Sequence, residues 1–158
     1  MKLYIKRDKC ADNRMFTIFD EFCNEKYYVT GTKDKLSLMN LNKEYMMSVR
    51  RAPLPALMAY SITAGKTNIK FILGKPNSKV QCYYYGISWR IRGNVFIKSF
   101  DIMDADNSIV ATHVKRFSPC GDGYELNVLN EKMELFCIAT SLCINLSAKV
   151  DNPMYQTV

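Results

Sequence analysis

The chain has 158 residues, with 22 Lys+Arg against 15 Asp+Glu and a formal net charge of +7. That length supports one domain with a real core and is too short for two comfortable ones, while 48 % hydrophobic and 23 % charged residues exclude a disordered chain. The basic balance suits anionic partners, phospholipid headgroups or nucleic acid, and is also ordinary for a small soluble domain.

The opening residues, Met1 to Arg7, alternate polar and apolar side chains. They lack the apolar run of a secretory signal, so a cytoplasmic location is expected. Cys10, Cys23, Cys82, Cys120, Cys137 and Cys143 are then expected to be reduced thiols. No C-x-x-C pair occurs and His113 is the only histidine. A zinc site needs several closely spaced soft ligands, so no metal or cofactor is expected.

Short alternating segments joined by Asp/Asn-rich turns then dominate. Phe16-Thr17-Ile18 runs through Asp20–Glu25 into Tyr27-Tyr28-Val29; Lys35–Leu38 runs through Asn40–Lys43 into Tyr45–Val49; Phe96–Met103 runs through Asp104–Asn107 into Ile109–Val114. Alternation with period two marks strands with one buried face, and Asp/Asn side chains suit the tight turns between them. About twelve strands are predicted, starting near Lys2, Met15, Lys26, Lys35, Glu44, Met58, Asn68, Ser78, Ile87, Val95, Ser108 and Gly123. Pro53, Pro55, Pro76 and Pro119 fall where strands should break.

The pattern changes at the end of the chain. Residues 131–148 are apolar on nearly every side, with Asn130 as a candidate N-cap and Glu131 and Glu134 in the first turn. Such a helix is buried or in a membrane. Its uninterrupted stretch of about 16 residues is short of the ~20 that span a bilayer, so a buried helix is predicted. Twelve strands alone would enclose too wide a space, and a central helix fills it. The expected fold is therefore mostly β: a closed antiparallel barrel of about twelve strands around a buried C-terminal helix. One domain is expected over residues 1–150, with a loose tail over 151–158.

These features, taken in order, resemble the LURP-one-related family of the tubby C-terminal-like superfamily, which includes the phospholipid scramblases. Met1–Lys6, Phe16–Asp20 and Tyr27–Gly31 are similar to its first strands, and Pro55–Ile62 to its middle segment. Trp89–Gly93 is similar to its tryptophan-and-glycine strand, and Tyr124–Val128 with the apolar helix to its ending. One departure is Ile144-Asn145-Leu146, where the family pattern carries an acidic residue. The resemblance implies the same barrel around a helix. It implies no activity, because fold and function separate readily.

Enzyme templates find no support. A Ser/His or Cys/His site would have to use His113, which sits within a strand. Asp104-Ala105-Asp106-Asn107 lacks the glycine and glutamate of a calcium loop. No phosphate-cradling glycine loop occurs. The remaining candidates are cationic. Arg90 and Arg92 alternate with Trp89 and Ile91 and should point outward together, while Arg50-Arg51 and Lys115-Arg116 are further pairs at strand ends. Guanidiniums on one face suit phosphate. Lys66, Lys70, Lys75 and Lys79 add charge around the middle turns.

The expected function is a non-enzymatic binding module that touches anionic phospholipid or a phosphoinositide headgroup through an outer basic patch. It would act peripherally at a membrane, without a transmembrane span. Tubby domains bind phosphoinositides, which favours this by resemblance alone. Two other classes stay open: nucleic-acid binding, for which Tyr83-Tyr84-Tyr85 beside Arg90 is the one aromatic and basic neighbourhood, and a protein-interaction scaffold. Oligomeric state is not legible.

Overall fold

The computed structural model describes residues 1–8, 13–52, 58–74, 82–118 and 120–146. Twelve antiparallel strands form one sheet: β1 (Lys2–Arg7), β2 (Arg14–Phe19), β3 (Glu25–Thr32), β4 (Lys35–Asn40), β5 (Tyr45–Arg51), β6 (Met58–Ala64), β7 (Thr67–Leu73), β8 (Cys82–Tyr85), β9 (Arg90–Asn94), β10 (Ser99–Met103), β11 (Ile109–Ser118) and β12 (Gly121–Val128). Their order is β8-β7-β6-β5-β4-β3-β2-β1-β12-β11-β10-β9. Every neighbour is a hairpin partner except β1 and β12, which bring the two termini of the sheet's meander together. Hairpin geometry follows from the alternation, because local pairing is the cheapest way to bury one face of each strand.

The barrel is nearly closed. Among the described residues, β8 and β9 form the two edges and share no strand ladder. Aromatic packing occupies this seam instead. Tyr84 meets Trp89 edge-on at 5.7 Å and Phe71 at 5.1 Å between ring centroids.

The repeated turns have a common physical basis. Asp20 and Asn40 each accept backbone N–H bonds through Oδ1, from Phe22 and Asn24 in one turn and from Asn42 and Glu44 in the other, all at 2.9–3.0 Å. The fourth residue of each turn is left-handed, Cys23 and Lys43 both at φ 63°. The Asp104 turn repeats this, with Asn107 at φ 67° and its N–H on the Asp104 carbonyl. The Asp104 and Asp106 carboxylates accept from the Ala105 and Ser108 N–H groups of their own turn, which is why the segment is a hairpin turn and not a cation loop.

One strand begins later than the alternation indicates. Val95–Lys98 is a fourth turn of this kind, with Lys98 at φ 61° and its N–H donated to the Val95 carbonyl. Val95, Phe96 and Ile97 are apolar although they lie in a turn, with Val95 buried, so the segment imitates a strand. Gly93 sits just before it at φ 113°, where an added Cβ would lie 2.7 Å from the Ser99 carbonyl oxygen. The predicted start at Ser78, the turns at Pro53, Pro55, Pro76 and Pro119, and the tail over 151–158 lie outside the described residues.

The helix is α1 (Glu134–Leu146), preceded by a 3-10 turn at Glu131–Met133. Asn130 holds the N-cap position, but its side chain makes no capping bond. Glu134 is instead fixed by the Lys26 ammonium at 2.7 Å. Every residue from Phe136 to Asn145 is buried. The helix packs on β5, β6, β7, β11 and β12, so it is the axis on which opposite walls meet.

Its polar groups are threaded into the walls. Thr140 Oγ1 donates to the Phe136 carbonyl at 3.0 Å and meets the Tyr84 hydroxyl at 2.8 Å. Ser141 Oγ lies 2.8 Å from His113 Nε2 and accepts from Asn145 Nδ2 at 3.1 Å. His113 Nδ1 lies 2.8 Å from the Lys98 carbonyl, which assigns the ring proton to Nδ1 and the acceptor role to Nε2. The ring is stacked between Phe100 at 4.5 Å and Tyr124 at 5.3 Å. A serine–histidine contact thus exists, and both residues are fully buried.

The expectation of six reduced thiols needs correction. Cys23 and Cys120 form a disulfide with Cα atoms 5.4 Å apart, joining the β2–β3 and β11–β12 turns. Such a bond persists in oxidising surroundings and is lost to a cytoplasmic thiol pool. Spacing cannot reveal a pairing 97 residues apart. Cys82, Cys137 and Cys143 are free and buried, as small apolar core residues. Cys10 lies outside the described residues.

Two predictions follow from the core. Ile138 is fully buried on the helix, so Ile138→Asp should cost about 3–5 kcal/mol or abolish folding, whereas Ile138→Val should cost about 1 kcal/mol. Urea unfolding midpoints check the contrast; equal losses would remove the helix from the core. Burial also pushes His113 down from 6.5 to about 4. The folded chain refuses a proton that the unfolded chain accepts. Stability is therefore full above pH 6.5 and falls as pH drops toward 4, by about 3 kcal/mol from this residue. The difference between parent and His113→Gln stability, measured against pH, should carry that slope.

Candidate anion-binding face

The six predicted cations occupy three separate sectors of the barrel. Arg50 and Arg51 are on β5, Arg90 and Arg92 on β9, Lys115 and Arg116 on β11. Six steps separate β5 from β11 in the strand order, and two separate β11 from β9. Alternation also sends neighbours to opposite faces. Arg50 opposes Ser61 on the outer side, while Arg51 opposes the buried Tyr60.

Most of these guanidiniums are already engaged. Arg92 donates to Asp101 Oδ2 from Nη2 at 2.7 Å and from Nε at 3.2 Å, because the two residues are cross-strand partners. Arg90 donates to Asn107 Oδ1. Arg51 pairs with Asp34 at 3.8 Å and Arg116 with Glu125 at 3.7 Å. Arg90 and Arg92 do both lie exposed beside the buried Trp89, as the alternation indicates. Lys115 lines an open depression at the barrel rim.

Arg50 belongs to a different arrangement. The register places Lys35, Arg50, Ser61, Lys70 and Tyr85 side by side across β4, β5, β6, β7 and β8. The inward row beside it is Leu36, Val49, Ile62 and Ile69, each at most 2 % exposed. That core row fixes the polar row outward, since a one-residue slip would bury every cation. A second outward row, Ser37, Ser48, Thr63 and Asn68, lies alongside. Asn68 Nδ2 donates to Ser61 at 2.9 Å and to Thr63 at 2.7 Å, tying the two rows together.

The face is hydroxyl-rich and cationic. Lys35 to Lys70 spans three interstrand steps, about 14 Å. Lys35 and Arg50 stand directly opposite each other, an arrangement that weakens a sheet when nothing neutralises it. Among the described residues, Lys35, Arg50 and Lys70 have no carboxylate within ion-pair distance. Tyr83 and Tyr85 are 45 % and 57 % exposed at the β8 edge, while Tyr84 points into the core. The aromatic run thus lies beside Lys70. Sequence reading found Arg50 and mentioned Lys70 but missed Lys35. The signal was the hairpin centred on Asn40, whose register sets Lys35 against Arg50.

A nearly closed, twelve-stranded antiparallel barrel wrapped on one helix defines the architectural class. The chain belongs to the LURP-one-related family, whose model matches residues 1–145. It is 22 % identical over 151 residues to the uncharacterised protein YxjI of Bacillus subtilis (strain 168), covering 92 % of this chain and 93 % of that one. Its fold is similar to that of an Arabidopsis thaliana protein solved by X-ray crystallography, with a TM-score of 0.54 at 16 % identity, covering 89 % of this chain and 90 % of that one. No helix among the described residues is long and apolar enough to cross a membrane.

Proposed function

We propose that the chain is a non-enzymatic binding module that docks on anionic phospholipid through the Lys35–Arg50–Lys70 face. The observation that carries this reading is the uncompensated like-charge row on the outer sheet face. A row of cations matches a surface of anionic headgroups, and each basic residue near such a surface contributes about 1 kcal/mol. Tyr83 and Tyr85 add amphipathic rings of the kind that settle at headgroup depth. The hydroxyls of Ser37, Ser48, Ser61 and Thr63 supply neutral donors between the charges. The module would act peripherally at a membrane surface that presents anionic headgroups.

Vesicle flotation tests this with phosphatidylcholine alone and with added phosphatidylserine or phosphoinositide. The chain should bind only the anionic vesicles and lose binding as salt rises. The triple variant Lys35→Gln/Arg50→Gln/Lys70→Gln should bind about 100-fold more weakly. Parent-like binding by that variant would refute the reading, as would binding that ignores salt. Retention of single-stranded DNA with no vesicle binding would assign the face to nucleic acid instead.

A further inference from the structure

The second cationic feature is at the rim where β1 ends and β12 begins. Lys6, Arg7, Asp8, Lys115, Asp122, Gly123 and Tyr124 surround an open depression of about 570 Å³. The register explains how the charges come together. Ile5, Tyr124 and Lys115 are consecutive cross-strand partners, so they share one face of the sheet. Ile5 is fully buried, which makes this the inward face. Arg7 and Asp122 lie two residues further toward the rim on the same face. On β11 the inward column runs Ala111, His113, Lys115, passing from full burial to exposure. The inward face therefore turns from apolar to charged where the core stops.

Lys6 approaches from the other side. Its ammonium lies 3.2 Å from where a Cβ on residue 121 would stand, so Gly121 leaves room for it over the edge of β12. Among the described residues, neither Lys6, Arg7 nor Lys115 forms an ion pair with Asp8, Asp122 or any other carboxylate. Asp8 instead accepts the Thr17 hydroxyl.

The floor is rigid. The Tyr124 ring stacks on His113, which stacks on Phe100. The Lys98 ammonium donates to the Tyr124 hydroxyl at 2.8 Å and lies 4.9 Å from its ring centroid. That hydroxyl keeps its own proton to donate.

We infer that this depression is a binding pocket for the phosphate monoester of a small polyol, such as a sugar phosphate. Three unpaired cations fit the dianionic phosphate, with Arg7 suited to paired contacts with two of its oxygens. The Asp8 and Asp122 carboxylates are acceptors for ligand hydroxyls, and they repel a ligand carrying a second anionic group. The volume suits a ligand of that size. The pocket is independent of the membrane face, since β2 and β3 separate β1 from β4.

Titration of the full chain with glucose 6-phosphate, followed by amide NMR, tests the assignment. Saturable shifts should appear at residues 6–8, 115 and 122–124. Arg7→Gln/Lys115→Gln should weaken binding by at least about tenfold. If that variant does not fold, Lys6→Gln/Lys115→Gln serves in its place. Glucose alone should give no shifts, and inorganic phosphate should bind more weakly than the sugar phosphate. Absence of saturable shifts, parent-like binding by the pocket variant, or equal binding of inorganic phosphate would overturn the proposal. The Lys35→Gln/Arg50→Gln/Lys70→Gln variant should retain the sugar phosphate, and the pocket variant should retain the vesicles, so the two surfaces fail separately.

Discussion

The packing of α1 inside the barrel is the constraint on which the rest depends. Every side chain from Phe136 to Asn145 is buried, and the inward faces of five strands pack directly against the helix. A twelve-stranded wall without that helix would enclose more space than its own side chains can fill. With it, the interior is a packed core in which Thr140, Ser141 and Asn145 are the polar inclusions that the helix contributes. Ser141 and Thr140 are satisfied by His113 and Tyr84. Asn145 Oδ1 has no hydrogen-bond partner among the described residues. An ionised carboxylate there would be harder to accommodate than a neutral amide.

A filled interior moves recognition outward. The serine–histidine contact is sealed beneath Tyr124 and joins wall to helix, a structural use of residues that elsewhere make a nucleophile. What remains accessible is the outer face of the sheet and the rim. The outer face presents like charges that the fold tolerates without neutralising, while Arg51, Arg92, Arg90 and Arg116 are tied to Asp34, Asp101, Asn107 and Glu125. The contrast separates cations that hold the barrel's surface together from cations left available to a partner.

Much of the fold is legible in the chain because its signals are local. The Asp20, Asn40 and Asp104 turns declare themselves by residue type, and the hairpins between them need only neighbouring segments. The helix is legible because no strand carries so many consecutive apolar residues. The Val95–Lys98 turn is not, since the apolar Val95-Phe96-Ile97, with Val95 in the core, gives a turn the look of a strand. The sites are less legible than the fold. Whether Arg50, Lys115 and Arg92 share a surface depends on strand order and on closure through β1 and β12, a non-local pairing. The Lys35–Arg50 opposition needs the register of one hairpin, and the Cys23–Cys120 bond needs contacts 97 residues apart.

Native-state hydrogen exchange is the most direct test of the central claim that α1 is the axis of the core. The amides from Phe136 to Asn145 should be among the slowest in the chain and exchange only through global unfolding, together with those of β5, β6 and β11. Fast, sub-global exchange of the helix while the strands stay protected would show a barrel that stands without its plug, and would contradict the account.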